Sequence, residues 1–421
     1  MNVLFRFKSS IDEPEHRGYK GLVKFGQRLL IPGPHYNVDL SLSETVEVAT
    51  KIVSGIIGPN AAKNDVEARF PTEAILAMGE AGLLGLTVPR DLGGQGLGPR
   101  AFADVTTAIA EADASTALVY TMHMCGTACI LKAPNHAKFE PILRQISVGK
   151  HLTTLAFSER GSRSHFWAPI SQAQLDGDNV RITAHKSWVT SASHADSYVI
   201  TTRSHLAKTP LDSTLYFLDS KAPGVRVASK WNGMGLRAND SAAVELENCL
   251  IPAERRLTEE GAGFKAKVET VLPLFNLGCA ATSLGICRAA VKATSMHLRN
   301  SKFEDMGGVS LGEALPVLRS RLGLMQMETD GLAARIQDYV SRLENSGSDP
   351  TLYVLESKAA SNQVAINVTA NAMLTCGGAA FSGHTGIDRL FRDAQAGQVM
   401  APTVDVTLDL IAKALLGLPL F

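Results

Sequence analysis

The chain has 421 residues, 45% of them hydrophobic, and it carries 41 basic and 41 acidic residues. This apolar content without net charge excludes a disordered chain, and the length predicts two or three domains. The charge balance argues against a nucleic acid or a membrane surface as partner, and we expect no apolar run of the roughly 18 residues that a membrane span needs. The first 30 residues have no continuous apolar segment, so no secretory signal is predicted.

Cysteine usage predicts a reduced, cytoplasmic protein. The six cysteines do not form the paired spacing of a zinc site, and no metal is expected. We predict that they are reduced core residues, which is typical of cytoplasmic proteins. They are Cys125, Cys129, Cys249, Cys279, Cys287 and Cys376.

The spacing of apolar residues divides the first part of the chain into an extension, residues 1–42, and a helical domain, residues 43–150. Pro32-Gly33-Pro34 is a strong turn signal in the extension. From Ser43 the apolar residues recur with helical spacing. Residues 101–133 are apolar and rich in alanine, which predicts buried helices, and His123 lies within them. The expectation for His123 is either a hydrogen-bonded core histidine or a catalytic group.

Residues 151–264 predict a β domain, and residues 265–421 predict a helical bundle. Short runs rich in Val, Ile, Thr and Tyr alternate with turns in the first part, and Asp176-Gly177-Asp178 is typical of a hairpin. The helices expected after it are residues 265–300, 311–345, 350–376 and 402–416. The predicted fold class is therefore α+β, mainly α: an N-terminal helical domain, a middle β-barrel domain and a C-terminal four-helix bundle.

Two stretches of the β domain have the composition of a binding site for a flat ligand. Residues 158–165 follow an apolar run and are rich in hydroxyls, and Gly161 permits the close approach of a ring. Residues 186–191 supply one aromatic plane, Trp188, beside the hydroxyl of Thr190. The alternative is a strand-end turn beside an ordinary core tryptophan, because short motifs occur often by chance.

Several motifs in a fixed order resemble the acyl-CoA dehydrogenase superfamily over nearly all of the chain after about residue 43. Residues 158–165 are similar to its Thr-Glu-Pro-Gly-x-Gly-Ser-Asp loop, and residues 188–192 resemble the tryptophan strand that lies against the flavin. The other matching segments are residues 82–86, 93–96, 234–237, 251–257, 377–378 and 389–394.

The resemblance implies a noncovalent flavin, with FAD as the expectation and FMN as the alternative, and a homotetramer or homodimer. It also implies a small-molecule or acyl-thioester substrate and an electron-transfer partner or flavin reductase. The positions that match cofactor contacts are Phe157, Ser158, Trp188, Thr190, Arg299, Gly377 and Gly378. The positions that match substrate contacts are Ser164, His165, Phe275 and Ala401.

The sequence departs from the family at the catalytic base. The glutamate that removes the proton beside the thioester carbonyl is replaced by Ala401, which cannot accept a proton. Phe275 occupies the alternative position of the base in the first helix of the bundle. The catalytic group is therefore unknown from the sequence. The weak candidates are Asp405, Glu269, His384 and His123.

Three functions follow from these residues. The first is α,β-dehydrogenation of an acyl thioester, with hydride transfer to flavin N5 and a relocated base. The second is a flavin-dependent monooxygenase of the same superfamily, which acts on a small molecule with reduced flavin and O2 and needs no such base. The third is a non-catalytic flavoprotein that keeps the fold for binding.

Overall fold

A computed structural model describes residues 40–163, 165–345 and 351–420. Nearly all of the predicted extension, residues 1–42, and the predicted substrate residue Ser164 lie outside this part of the chain. The first helical segments are α1 Leu40–Ile52, α2 Gly58–Glu67, α3 Thr72–Glu80, α4 Pro99–Ala112, α5 Ala114–Leu131 and α6 Glu140–Ser147. Helix α5 begins where the Asp113 carboxylate accepts hydrogen bonds from the N–H groups of Ser115 and Thr116.

The middle segment forms two sheets. Its strands are β1 Thr153–Ala156, β2 Gln174–Asp176, β3 Asn179–Val189, β4 Ser197–Arg203, β5 Ser213–Asp219, β6 Val225–Val227 and β7 Ala242–Ile251. One sheet has the order β1-β4-β5, with β1 parallel to β4, and the other has the order β2-β3-β7-β6. The predicted hairpin is present, because Asp176 pairs with Asn179 across a two-residue turn.

The last segment is helical. A short helix α7, Gly263–Ala266, and a π-helical turn, Lys267–Val271, lead into α8. The elements that follow are α8 Leu272–Asn300, β8 Lys302–Phe303, β9 Val309–Ser310, α9 Leu311–Ala314, α10 Pro316–Glu344, α11 Thr351–Phe381, α12 Ile387–Val399 and α13 Val404–Leu416. The predicted helices do not include α12, although the sequence resemblance places residues 389–394 in the last helices.

The helices before and after the sheets share one hydrophobic core. Phe102 of α4 and Leu277 of α8 belong to it, and both side chains are fully buried. A second core fills the space between the sheets. A third joins α5 and α6 to the β1-β4-β5 sheet through residues such as Leu143 and Phe217. The fold class is therefore confirmed, with the β segment attached to one continuous helical body.

The expectation about membrane-spanning length was wrong. Three helical stretches among the described residues are long and apolar enough to cross a membrane: Ala114–Leu131, Gly263–Asn300 and Thr351–Phe381. Their most apolar windows are 83%, 72% and 39% buried inside the fold, respectively. The apolar character of the first two is explained by burial, because a helix that is hydrophobic all round belongs to a core.

Candidate active site

A cavity of about 500 Å³ lies where the first and third cores meet. Its β side consists of the end of β1, the loop after it and the end of β3. Its helical side consists of α5, the start of α8 with the turn before it, and the end of α12 with the segment after it. Six residues that the sequence assigned to cofactor or substrate line it together: Phe157, Ser158, Trp188, Thr190, Phe275 and Ala401.

Trp188 offers a flat apolar face to this cavity. The pairing of β3 with β7 shifts register between Lys186 and Val189, so the strand bulges at the tryptophan. Trp188 has φ +59°, a state that costs a bulky L-residue about 1–3 kcal/mol, and 67% of its surface is exposed. Its indole meets that of Trp231 edge-on, with ring centres 5.8 Å apart. Such strain at an exposed aromatic residue is typical of a ligand site.

Hydroxyl and amide groups stand beside the aromatic face. The Thr190 hydroxyl lies 3.2 Å from that of Ser241, and both residues line the cavity. The Asn239 side-chain oxygen accepts a hydrogen bond from the Ser241 N–H at 3.1 Å. The Ser158 carbonyl accepts one from the Ser187 N–H at 2.9 Å, which holds the loop against β3. The β side therefore combines a flat apolar surface with neutral polar groups.

A buried ion pair fixes the loop that carries Ser158. The Lys186 ammonium lies 2.6 Å from the Glu159 carboxylate, which also accepts hydrogen bonds from the N–H groups of Ile170 and Ser171. Burial alone would raise the pKa of Glu159, but the ammonium and these donors outweigh it and hold the pKa below its usual value. The loop is thus anchored at both of its ends.

A second anchor connects this loop to the helical side. The Lys267 ammonium, in the π-helical turn before α8, donates to the Trp167 carbonyl at 2.8 Å and to the Thr201 hydroxyl at 3.3 Å. Burial lowers the pKa of Lys267 to about 7. The turn that carries it ends in Val271, which lines the cavity.

Helix α12 holds the segment after Trp231 in place. The buried Asp393 carboxylate accepts a hydrogen bond from the Leu236 N–H at 2.6 Å, and burial raises the pKa of Asp393 to about 7. Gly235 approaches so closely that an added Cβ would stand 2.3 Å from the Arg392 carbonyl oxygen. Only glycine fits there, and both Gly235 and Leu236 line the cavity.

Lys358 of α11 supports the helical side from behind. Its ammonium is completely buried and donates to the carbonyls of Met400, at 2.7 Å, and Pro402, the two neighbours of Ala401. It also lies 5.8 Å from the centre of the Phe275 ring. Carbonyls after a helix end lack intrahelical donors, so a buried cation there satisfies them. Burial lowers the pKa of Lys358 to about 8.

The cavity contains no candidate for a base among the described residues that line it. These residues include no Asp, Glu, His, Lys or Cys, and the one charged side chain is Arg163. Glu269, Asp405 and His384 are exposed and lie outside the lining, so the structure does not bring them together with Ala401.

His123 follows the cavity-lining Met122 on α5, but it does not itself line the cavity and its ring is fully engaged. Nε2 is 3.0 Å from the Leu84 carbonyl, and Nδ1 accepts from the Thr153 N–H at 3.1 Å. Burial lowers the pKa of His123 to about 4, so the ring is neutral at physiological pH. Of the two expectations for His123, the structure therefore agrees with the hydrogen-bonded core histidine.

The remaining predicted residues stand apart from the cavity. His165 is exposed and stacks on Trp167, with ring centres 5.0 Å apart. Arg299 is exposed at the end of α8. Gly377 lies at a kink of α11, with φ +52°, and added Cβ atoms at Gly377 and Gly378 would meet nothing within 4 Å. These last three positions face open space in the single chain.

Comparisons with known proteins agree with this architecture. The sequence matches three family descriptions in succession: acyl-CoA dehydrogenase N-terminal domain over residues 42–150, middle domain over 154–249 and C-terminal domain over 261–416. The chain belongs to the acyl-CoA dehydrogenase family. It is a flavin-dependent oxidoreductase with an acyl-CoA dehydrogenase-like function.

Individual relatives are similar over most of their length. The probable acyl-CoA dehydrogenase FadE25 of Mycobacterium tuberculosis is 25% identical over 86% of this chain and 91% of its own. Butyryl-CoA dehydrogenase from Megasphaera elsdenii has a TM-score of 0.85 at 22% identity, over 91% of this chain and 100% of its own. The FAD complex of PigA has a TM-score of 0.81 at 18% identity, over 90% and 99% of the two chains. The two structures show that the fold is shared.

The cavity residues fit the flavin that this family uses. The exposed indole of Trp188 can lie against a flat ring. Binding of such a ring would explain why a strained backbone conformation is kept at Trp188. Thr190 and Ser158 bring a hydroxyl and backbone groups to the same side. Neutral donors near a redox ring stabilise the charge that develops on reduction. FAD is the cofactor that the family comparison supports.

Several residues of this acyl-CoA dehydrogenase-like site are not among those predicted from the sequence. Asn239 and Ser241 follow the recognised segment 234–237 and are polar residues just before a strand, which is a signal that was available. Arg163 lies inside the recognised loop. Lys358 could not be found in this way, because a basic residue of a bundle helix looks like part of a solvated face.

Proposed function

We propose that the chain oxidises an acyl thioester in the central cavity. The observation that carries this proposal is the meeting of Trp188 and Thr190 on the β side with Phe275 and Ala401 on the helical side. A flavin bound against the β side supplies a two-electron acceptor for an acyl chain. The space over Ala401, where the family has a glutamate, is then free to hold the acyl chain of the substrate.

The residues of the cavity bind and orient rather than move protons. Leu118, Leu155 and Leu272 line it with apolar surface that suits an alkyl chain and excludes bulk water. Asn239 and Ser241 supply neutral groups that can hold a thioester oxygen or a water molecule. Lys358 fixes the backbone on both sides of Ala401, so the carbonyl groups of that segment keep one position.

The proton released by such an oxidation has no side-chain acceptor in the described lining. We propose that water held by the hydroxyl groups of the β side accepts it. The loss of a positioned general base costs about 10²–10⁴-fold in rate, so we expect slow turnover with ordinary acyl-CoA substrates.

A second candidate is oxygenation of a small molecule with reduced flavin and O2. The observation that favours it is the same lining, which lacks carboxylates and imidazoles among the described residues. An oxygenase needs no group that removes a proton from carbon. The two candidates share the cavity and differ in the direction of electron flow.

Product analysis separates the two candidates. The flavin-loaded protein would be incubated with a panel of acyl-CoA thioesters and an artificial electron acceptor, and the molecular masses of the products would be measured by mass spectrometry. Dehydrogenation gives a product lighter by two hydrogen atoms. Oxygenation gives a product heavier by one oxygen atom, requires O2 together with a flavin reductase and its reductant, and places the label in the product when the O2 is isotopically labelled.

We also propose that copies of the chain assemble as a homodimer or homotetramer. Large apolar side chains remain exposed on the bundle, among them Leu374, Phe381 and Leu416. Phe381, which ends α11, has 84% of its surface exposed and lies near Gly377. We infer that Arg299, Gly377 and Gly378 contact the flavin of a neighbouring copy. Light scattering tests the oligomeric state. Flavin retention by Arg299→Gln tests the contact with the flavin of a neighbouring copy.

The remaining proposals concern location and electron transfer. We propose a cytoplasmic protein, which the six free and buried cysteines support. We propose further that an electron-transfer partner removes the electrons, or that a flavin reductase supplies them in the oxygenase case. Reoxidation of the substrate-reduced protein by an added electron-transferring flavoprotein distinguishes these directions.

A further inference from the structure

Arg163 is the one charged side chain among the described residues that line the cavity. It belongs to the loop after β1, between the buried Ser162 and the exposed His165. No ion pair or side-chain hydrogen bond of Arg163 occurs within the described residues. A guanidinium at the rim of an otherwise neutral cavity is therefore available for a ligand.

The backbone at Arg163 favours a different residue. Its φ is +55°, in the left-handed region that glycine adopts most easily. The family loop quoted above, Thr-Glu-Pro-Gly-x-Gly-Ser-Asp, has glycine at this place. The loop conformation has no need of an arginine, and the Arg163 side chain is exposed to solvent where it lines the cavity, so an incoming ligand can reach it.

The chemistry of the lining indicates the kind of contact. A guanidinium binds carboxylates and phosphates through two parallel hydrogen bonds. The described residues of the lining offer it no such group, since they are apolar or neutral apart from Arg163. A ligand that brings an anionic group to this rim satisfies the guanidinium, whereas a purely alkyl ligand does not.

We propose that Arg163 binds an anionic group of the substrate. This inference rests on the proposed oxidation of an acyl thioester in the same cavity. The anionic group is either a carboxylate on the acyl chain or a phosphate of the carrier to which the acyl chain is attached. The substrate class is thus an acyl thioester with an anion within reach of residue 163.

Equilibrium binding of four thioesters to the flavin-loaded protein tests the inference. The ligands are glutaryl and hexanoyl groups, each attached to coenzyme A and to pantetheine, which lacks phosphate. The variants are Arg163→Gln and Arg163→Gly, the second of which also suits the φ of +55°. Arg160→Gln is the matched control, because Arg160 is exposed in the same loop and does not line the cavity.

The wild type is expected to prefer an anionic ligand by about tenfold or more. Loss of the glutaryl preference alone in both Arg163 variants, but not in Arg160→Gln, assigns the acyl carboxylate. Loss of the coenzyme A preference alone assigns the carrier phosphate. Both results support the inference.

Two results overturn the inference alone. One is an unchanged preference in both Arg163 variants while the wild type binds all four thioesters. The other is a weaker affinity for FAD with unchanged thioester preferences, which would assign Arg163 to the cofactor. A flavin-loaded wild type that binds none of the four contradicts the proposed function, and the inference fails with it.

Discussion

The ammonium of Lys358 donates to the Met400 carbonyl at 2.7 Å, although the two residues belong to different parts of the bundle. Lys358 lies on α11, and Met400 follows α12. The contact fixes the segment that contains Ala401, where the family has its catalytic glutamate. A buried cation thus determines the shape of a cavity wall without lining the cavity.

Replacing Lys358 tests whether its hydrogen bonds stabilise the folded chain. Lys358→Met keeps a long unbranched side chain but removes the ammonium donor from the buried carbonyls of Met400 and Pro402, and leaves Pro402 only the 3.5 Å contact with the Thr407 hydroxyl. We expect the free energy of unfolding at neutral pH to fall by about 1–3 kcal/mol. Chemical denaturation measures this change, and Lys413→Met, at a half-exposed i,i+4 pair of α13, is the control. Equal stabilities of the wild type and Lys358→Met would contradict the role.

The pH dependence of stability gives a second test of Lys358. Its pKa is about 8 in the folded chain and 10.5 ordinarily, so between these values the unfolded state binds more protons. Stability from this group therefore rises with pH from about 8 to 10.5 and is flat below about 8. We expect Lys358→Met to lose this part of the slope in denaturation series at rising pH. A slope identical to that of the wild type would show that Lys358 is not the group responsible for this pH dependence.

Asp393 predicts the opposite slope at lower pH. Burial raises its pKa from 3.8 to about 7, so the folded state binds more protons between these values. Stability from this group is fully present below about pH 3.8 and is lost as the pH rises to about 7. Asp393→Asn keeps an oxygen that accepts from the Leu236 N–H and cannot titrate. We expect it to flatten this part of the stability profile, and an unchanged profile would refute the prediction.

Trp188 is expected to hold the flavin by contact area. We predict that Trp188→Ala weakens flavin binding by about tenfold, since stacking on an aromatic face contributes about 1–3 kcal/mol. Trp188→Phe should retain most of the affinity. Flavin titration of the apoprotein measures both, and Trp167→Phe is the control because Trp167 lies outside the lining. Equal affinities of the alanine variant and the wild type would place the flavin elsewhere.

Ala401 offers a gain-of-function test. Ala401→Glu places a carboxylate where the family has its base. We expect flavin reduction by an acyl-CoA to accelerate by about 10²–10⁴-fold, the usual contribution of a general base. Ala401→Gln has the same size and accepts no proton, so it should not accelerate the reaction. Equal rates for the two variants would show that residue 401 does not face the reacting carbon.

The sequence predicted the fold class because the long apolar helices and the alternating strands have distinct periods. It also predicted six residues of the cavity, since residues such as Phe157 and Trp188 lie within local motifs. The positions of Glu269 and Asp405 could not be predicted, because they depend on which helix face turns inward, and that of His384 depends on the turn between α11 and α12. The contact of Lys358 with the segment after α12 joins residues 42 positions apart and leaves no local pattern.

The central claim is that a flavin and an acyl thioester meet in the cavity of this chain. Anaerobic mixing of the flavin-loaded wild type with a panel of acyl-CoA thioesters tests it most directly, with the visible flavin absorbance as the readout. We predict slow but complete bleaching by at least one thioester without any added reductant. Failure of every bound thioester to bleach the flavin would contradict the claim.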